Sequence, residues 1–292
     1  MRTMRAARIH EYGDTSVIRH EHVPVPAPGP GAALIEVAAM SFNPAEIGLR
    51  RGYLHELLGV SLPYTLGWDV AGTVADAGDT GLNVGDRVFG QVEGAAADYV
   101  AAPASLLARA PESIPLAHAA AIPVAGLTAW QAVFEHARIT PGQRVLINGA
   151  GGGIGLFAVQ LAKHAGAIVT ATASPRSAAA VAGLGADEVV DYTAGPLPGD
   201  MDVLLNLAAV TEEDAAALAG LARTVVTVAT PIEGGTHFIT RNDPEQLALI
   251  AALIDKGELT VEVAETHPVS ELATIHLRAE AGDTRGKIVL TM

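Results

Sequence analysis

Residues 142–177, GQRVLINGAGGGIGLFAVQLAKHAGAIVTATASPRS, read as an apolar strand, a glycine cluster, a helix and a second apolar strand. The first strand covers 145–148. A helix is expected over 154–165, because Ile154, Phe157, Ala158, Leu161, Ala162 and Ala165 recur at i, i+3, i+4 spacing. Gly166 then stands where a helix C-terminal glycine belongs. Strand, tight turn, helix and strand in this order suit a dinucleotide, whose pyrophosphate lies at the helix N-terminus against free N–H groups and the positive end of the dipole.

The turn GAGGGIG departs from the strict G-x-G-x-x-G spacing. Aligned to that fingerprint, Ala150, Gly152 and Gly155 take the three small-residue positions, with Gly151, Gly153 and Ile154 between them. A larger side chain at the turn would hold the backbone off a pyrophosphate, and a Cβ at Gly155 would push the helix off the sheet. An unliganded strand–helix turn is the plainer alternative. The second strand carries no acidic residue to greet the ribose 2′-hydroxyl of NAD; it ends Thr170-Ala171-Thr172-Ala173-Ser174-Pro175-Arg176. A carboxylate there would repel a 2′-phosphate, whereas the Ser174 hydroxyl and the Arg176 guanidinium would hold it. One charge-assisted bond is worth about 1.5–3 kcal/mol, or roughly 10–150-fold in affinity. The expected cofactor is NADPH, set against the alternative that Arg176 is a solvated residue opening the next helix.

Composition narrows the remaining classes. Across 292 residues, half are hydrophobic and 17% charged, so a substantial core is expected and general disorder is not. A net charge of −14 with no basic run argues against nucleic-acid partners. No run of about 18 apolar residues suggests a membrane span, and the start MRTMRAARIHEYGD lacks an apolar signal segment, so a cytoplasmic chain is expected. The absence of cysteine removes disulfides, thiolate nucleophiles and cysteine-ligated zinc. His20 and His22 share one face of an extended segment without the carboxylates of a known metal motif. His136, His164 and His276 fall on expected helices, where an ordinary packed or surface role is the plainer reading.

Up to about residue 115, short apolar or alternating runs separated by Gly, Pro, Asp and Asn read as β-rich, with VPVPAPGPG as a connector. LAHAAAIPVAGLTAWQAVFEHARI is helical in pattern, broken by Pro123 and Gly126. Strands and helices then alternate, which calls for a parallel sheet covered on both faces. The tail returns to a mixed pattern and ends in the apolar strand GKIVLTM.

FNPAEIGLRRG (42–52), PYTLGWDVAGTV (63–74), VGDRVFG (84–90), AIPVAGLTAWQAV (121–133), GQRVLINGAGGGIGLFAVQLAK (142–163), GADEVVDY (185–192) and TRGKIVL (284–290) together resemble one family across nearly the whole chain. It is the zinc-independent quinone oxidoreductases, zeta-crystallin-like proteins included, of the medium-chain dehydrogenase/reductase superfamily. The resemblance implies an α/β fold in which a Rossmann dinucleotide-binding domain, 117–252, is inserted into a GroES-like β-rich domain formed by 1–116 and 253–292. It places the cofactor in the cleft between them and implies a homodimer through the Rossmann sheet edge, near which TVVTVAT (224–230) could pair with its copy.

The resemblance also assigns roles. Where zinc-dependent relatives carry a cysteine and a His-Glu pair, this chain has Ser41, Trp68 and Asp69, so no Lewis acid for alcohol oxidation is expected. The acceptor must then already be electron-poor, a quinone or an α,β-unsaturated carbonyl. Asn43 matches a substrate-side amide, Thr128 a position beside the nicotinamide, and Tyr192 the tyrosine beside the phosphoribose. The alternatives are an Asn-Pro turn for Asn43 and a helix hydroxyl bonded to its own backbone for Thr128. Ala208, Thr230 and Phe238 are implied as further cofactor contacts, and Arg285 and Lys287 as basic tail residues at a cofactor phosphate. Tyr53 stands one place before the tyrosine of many relatives, where this chain has Leu54, which leaves it an uncertain proton donor beside water. The segment after TVVTVAT is short, and His237, Phe238 and Arg241 are expected to border a smaller or more open cleft. Two other readings stay open: a dedicated enoyl reductase of a biosynthetic pathway, and a non-catalytic NADPH-binding sensor or structural protein.

Overall fold

A computed structural model describes residues 2–292. In chain order come β1 (Thr3–Ile9), β2 (Arg19–Pro24), β3 (Ala32–Ser41), α1 (Ala45–Arg50), α2 (His55–Leu58), β4 (Tyr64–Thr65), β5 (Asp69–Asp76), β6 (Arg87–Gln91), β7 (Tyr99–Pro103) and β8 (Leu107–Arg109). Next are α3 (Leu116–Ala119), α4 (Pro123–Trp130), β9 (Arg144–Asn148), α5 (Gly153–His164), β10 (Ile168–Thr172), α6 (Ala178–Gly183) and β11 (Glu188–Val190). They are followed by β12 (Met201–Asn206), α7 (Glu212–Ala219), β13 (Ala222–Thr227), β14 (Thr236–His237), α8 (Pro244–Asp255), β15 (Val263–Pro268), α9 (Leu272–Glu280) and β16 (Lys287–Thr291). No helix among the described residues is long and apolar enough to cross a membrane.

Two compact units result. The first holds the residues up to Val124 with Asn242–Asp255 and Val263–Met292; the second holds Ala125–Arg241 with Lys256–Glu262. In the first unit, β1 pairs with β2 and β4, and a larger sheet runs β15-β16-β3-β5-β6-β8 with β7 also on β3. These strands and the turns between them bury Ile9, Ile35, Leu66, Val70, Val88 and Leu290 in one core, with β3, β5 and β16 buried along most of their length. Behind it, the fully buried Arg50 of α1 donates to Gly13 O at 2.6 Å and His276 Nδ1 at 3.3 Å, and pairs with Glu280. Burial first, then the Arg50 charge, holds His276 down to about 4.

The second unit is a six-stranded sheet, β11-β10-β9-β12-β13-β14, parallel throughout. Numbered within the unit, this is the 3-2-1-4-5-6 order of a doubly wound dinucleotide fold, whose strand direction of travel reverses between β9 and β12. The α/β class and the Rossmann-type insertion into a β-rich unit are therefore as expected from the sequence.

The details differ in three places. The unit boundary falls at Val124 and Asn242 rather than at 117 and 252, because the Val124 N–H is donated to Asp69 and α8 packs on β8, with the Ser113 N–H on Asp255 at 2.9 Å. Gly126 does not break its helix: Pro123 opens α4 at a position that needs no N–H donor, and the helix runs through Gly126 into a π-helical turn, Gln131–His136. β13 is not an edge, since β14 pairs with its Val226 and Thr227, so the exposed two-residue β14 forms the sheet's border.

Candidate functional site

The glycine turn follows β9 directly. Gly149 has φ +86°, which a side chain tolerates poorly. A Cβ at Gly155 would lie 2.3 Å from Gly149 O and 2.5 Å from Ala150 Cα, so this glycine is what lets α5 close on the turn. At Gly152 the nearest atom to such a Cβ is Gly149 O at 3.3 Å, a tight contact on its inner side, and the residue is exposed. Gly152 is the N-cap of the twelve-residue α5 and carries no side chain to satisfy the first N–H groups, while Gly151, Gly153 and Ile154 are partly exposed beside it. This donor set fits a pyrophosphate. Ala150 is fully buried beneath the turn, and Ala208 packs against Gly149 from the end of β12.

Three polar side chains fix the turn from below, of which Asn148 and Asn206 were not among the expected site residues. Asn148 Nδ2 donates to Asn206 Oδ1 at 2.8 Å, and Thr172 Oγ1 donates to Asn148 Oδ1 at 2.9 Å. Thr172 Oγ1 also accepts the Gly149 N–H at 3.0 Å. They end β9, β10 and β12, so one buried network ties the turn to the switch point of the sheet. The signal available in the sequence was a polar residue closing each of three largely apolar strands.

Beyond Thr172, Ser174 is half-buried with its Oγ 3.4 Å from Ser177 Oγ, and Arg176 is exposed. Ser177 lies over Gly151, where a Cβ would come within 2.3 Å of its Oγ. Tyr192 is exposed past β11. The Thr230 hydroxyl accepts the Val210 N–H at 3.1 Å. Phe238 is buried and stacks on His136 with centroids 4.1 Å apart, which makes it a packing residue of this unit. Its neighbours are fastened to the helix before it: Thr128 Oγ1 lies 2.5 Å from Thr240 Oγ1, Gln131 exchanges two hydrogen bonds with the Arg241 backbone, and Arg241 pairs with Glu135 at 2.9 Å. Thr128 thus bonds across to residue 240. His237 is exposed on β14.

In the first unit the structure assembles a buried polar cluster around Asp69. Asp69 Oδ2 accepts from Ser41 Oγ at 2.6 Å, Asn43 Nδ2 at 2.9 Å and Lys287 Nζ at 3.4 Å, and Oδ1 accepts the Val124 N–H at 2.8 Å. Lys287 Nζ also donates to Asn43 Oδ1 at 3.0 Å and Phe42 O at 3.3 Å. Lys287 is 3% exposed, so its ammonium is committed inside this unit and does not lie open to a phosphate, contrary to the expectation for a basic tail residue. Glu46 accepts the N–H groups of Asn43 and Gly67, and burial, reinforced by the Asp69 charge, pushes its carboxyl up to about 8. Near neutral pH the Glu46 carboxyl of this cluster is therefore held as the neutral acid.

Asn43 is more than a turn residue, since its amide bridges Asp69 and Lys287 within this cluster. Tyr53 lies in the turn after α1 and is 75% exposed, and Arg285 is exposed. Ser41 donates to Asp69, and the Trp68 Nε1–H donates to Tyr64 OH at 3.1 Å. His20 and His22 are exposed on β2, and among the described residues no group of three or more His, Cys, Asp or Glu could hold a metal ion.

Residues 29–112 match the family model for the alcohol dehydrogenase GroES-like domain, and residues 184–290 match that for the zinc-binding dehydrogenase. The chain is 31% identical to the mitochondrial NAD(P)H oxidoreductase RTN4IP1 of Mus musculus, over 97% of this chain and 88% of that protein. The quinone oxidoreductase from Coxiella burnetii superposes over the full length of both chains with a TM-score of 0.92 at 28% identity. Mycobacterial Rv1454c, in complex with NADPH, does so over 99% of this chain and 100% of its own with a TM-score of 0.85 at 29% identity.

Proposed function

Because the chain belongs to the quinone oxidoreductases of the medium-chain dehydrogenase/reductase superfamily, we propose that it is an NADPH-dependent, metal-free reductase of quinones or α,β-unsaturated carbonyl compounds. One observation carries the reading: β10 ends in the buried Thr172 hydroxyl followed by Ser174 and Arg176, beside a glycine turn exposed at Gly152, with no carboxylate at the strand end. A bound dihydronicotinamide would supply a hydride. The chain's own residues do the rest. The first N–H groups of α5 hold the pyrophosphate, and Ser174 and Arg176 hold a 2′-phosphate. Asn43 gives an amide N–H to the acceptor's carbonyl oxygen, where negative charge grows as the hydride arrives. Water supplies the proton, since the exposed Tyr53 side chain has no enclosed site from which to deliver one.

The metal-free part of the reading rests on the donor set. Ser41, Trp68 and Asp69 are already engaged by Asp69, Tyr64 and Lys287, and none of them is a thiolate or an imidazole. A homodimer formed through the exposed β14 border belongs to the same reading and would show as twice the chain mass in light scattering at micromolar concentration.

The test follows NADPH absorbance with two ortho-quinones and two enones, NADH run in parallel. NADPH-selective turnover is expected, the better acceptor class deciding between quinone and enone reduction. Arg176→Ala should weaken NADPH binding by roughly 10–150-fold while leaving NADH nearly unchanged. An unchanged preference would refute the 2′-phosphate assignment, and tight NADPH binding without turnover would favour a sensor.

A further inference from the structure

Resting on the reading of Asn43 as the donor to the acceptor's oxygen, we propose that Lys287 and Asp69 are positioning residues that fix which face of the Asn43 amide is presented. An amide side chain has two orientations related by a half-turn, and only one offers N–H where an oxyanion forms. Here the choice is made by charge. The amide oxygen receives the Lys287 ammonium at 3.0 Å, and one Nδ2–H goes to the Asp69 carboxylate at 2.9 Å. Turned over, the NH2 would face the ammonium and the oxygen would face the carboxylate, so both contacts would become repulsive. The orientation present leaves the second Nδ2–H to be given.

Both charges are themselves held. Lys287 has three N–H donors and three acceptors, Phe42 O, Asn43 Oδ1 and Asp69 Oδ2. Asp69 takes two further donors, the Ser41 hydroxyl and the Val124 N–H, and is fully buried. The backbone of Asn43 is pinned separately, its N–H on Glu46 at 3.1 Å. The amide thus has one fixed attachment through the backbone and two opposite charges at its tip, more constraint than an Asn-Pro turn requires. A residue from the last strand, 244 positions along the chain, supplies the decisive contact.

The experiment compares wild type, Lys287→Met, Asn43→Ala and the double variant, reading kcat, KM for one quinone, the NADPH Kd by fluorescence, and Tm. Removing an oxyanion donor lowers kcat by roughly 10²–10³-fold, and an amide freed to flip should retain part of its effect, so Lys287→Met should lower kcat by about tenfold. The NADPH Kd should stay within about twofold of wild type, and Lys287→Met should have no further effect on kcat in the Asn43→Ala background. If Lys287→Met does not fold, the charge-neutral pair Lys287→Met with Asp69→Asn carries the same comparison. Two results would overturn the proposal: an unchanged kcat, or an equal loss of kcat with and without Asn43. An unchanged kcat with a tenfold weaker NADPH Kd would make Lys287 a cofactor ligand. A wild type that turns over no quinone or enone would instead remove the underlying functional reading, and this inference with it.

Discussion

Glu46 should make the first unit lose stability as pH rises through neutrality. Its carboxyl is fully buried, and the neighbouring Asp69 adds to the burial, so the folded value is about 8 against an unfolded value near 4.5. Between those two values the folded state holds a proton that the unfolded state has released, so unfolding becomes easier with rising pH, by about 1.4 kcal/mol per pH unit. His276 acts in the opposite sense. It is held near 4 in the folded chain, and below its unfolded value of about 6.5 the unfolded state binds the extra proton. Those two slopes oppose each other from about pH 4.5 to 6.5 and leave that of Glu46 unopposed above that range. From pH 6.5 to 8 its loss is about 2 kcal/mol.

Glu46→Gln removes the titration and leaves the shape. The new amide NH2 must face one of the two backbone N–H groups, on Asn43 or Gly67, that Glu46 accepts, at a cost of about 1–3 kcal/mol that does not vary with pH. The assay is urea unfolding followed by Trp68 fluorescence in a Trp130→Phe background, since Trp68 belongs to the first unit and Trp130 to the second. The wild-type advantage over Glu46→Gln should shrink by about 2 kcal/mol from pH 6.5 to 8. A constant difference across that range would show that Glu46 is already ionised in the folded protein.

Other perturbations separate local causes. Gly155→Ala places a Cβ 2.3 Å from Gly149 O, a backbone atom that cannot move aside cheaply, so the roughly 1 kcal/mol gained in helix propensity should be exceeded by strain of about 2–3 kcal/mol. Gly183→Ala at the end of α6 meets nothing within 4 Å and should gain a few tenths of a kcal/mol; paired thermal melts decide between the two. On the surface, Arg278 and then His267 hold Glu265 down to about 2, and Glu265 and then Glu271 raise His267. The Glu265 contribution is present above about pH 4.5 and fades toward 2, and that of His267 is present below about 6.5 and fades as pH rises through its raised value. Glu265→Gln should therefore cost most, about 1 kcal/mol after allowance for solvent screening, between pH 4.5 and 6.5, as a denaturant-midpoint series would show.

The glycine turn was legible in the sequence because everything that defines it is local. Strand, turn, helix and second strand follow within 36 residues, and small residues at Gly152 and Gly155 report directly on what approaches them. The second strand, β10, was legible for the same reason. What escaped notice was set by strand order. Asn148, Thr172 and Asn206 look unremarkable one at a time and meet only because β9 lies between β10 and β12. Phe238 carried an apolar ring in a loop, which fits a cofactor wall and a packing residue equally well until His136 is placed against it.

Lys287 shows most sharply how topology decides what a residue type leaves open. Next to Arg285 in TRGKIVL it looks like one of two tail charges available to a phosphate. In the fold β16 is an interior strand, flanked by β15 on one side and β3 on the other, so a side chain at its start can be enclosed in a way that Arg285 is not. β3 delivers Ser41 and leads directly to Asn43, and β5, on the far side of β3, begins with Asp69. Three strands that are neighbours in the sheet but distant in sequence thus bring a lysine, an asparagine and an aspartate to one end, where a buried ammonium is tolerable only because a buried carboxylate faces it. The apolar run after Lys287 was the one hint: a charged residue opening a strand as buried as Ile288, Val289 and Leu290 must find its partner inside the protein.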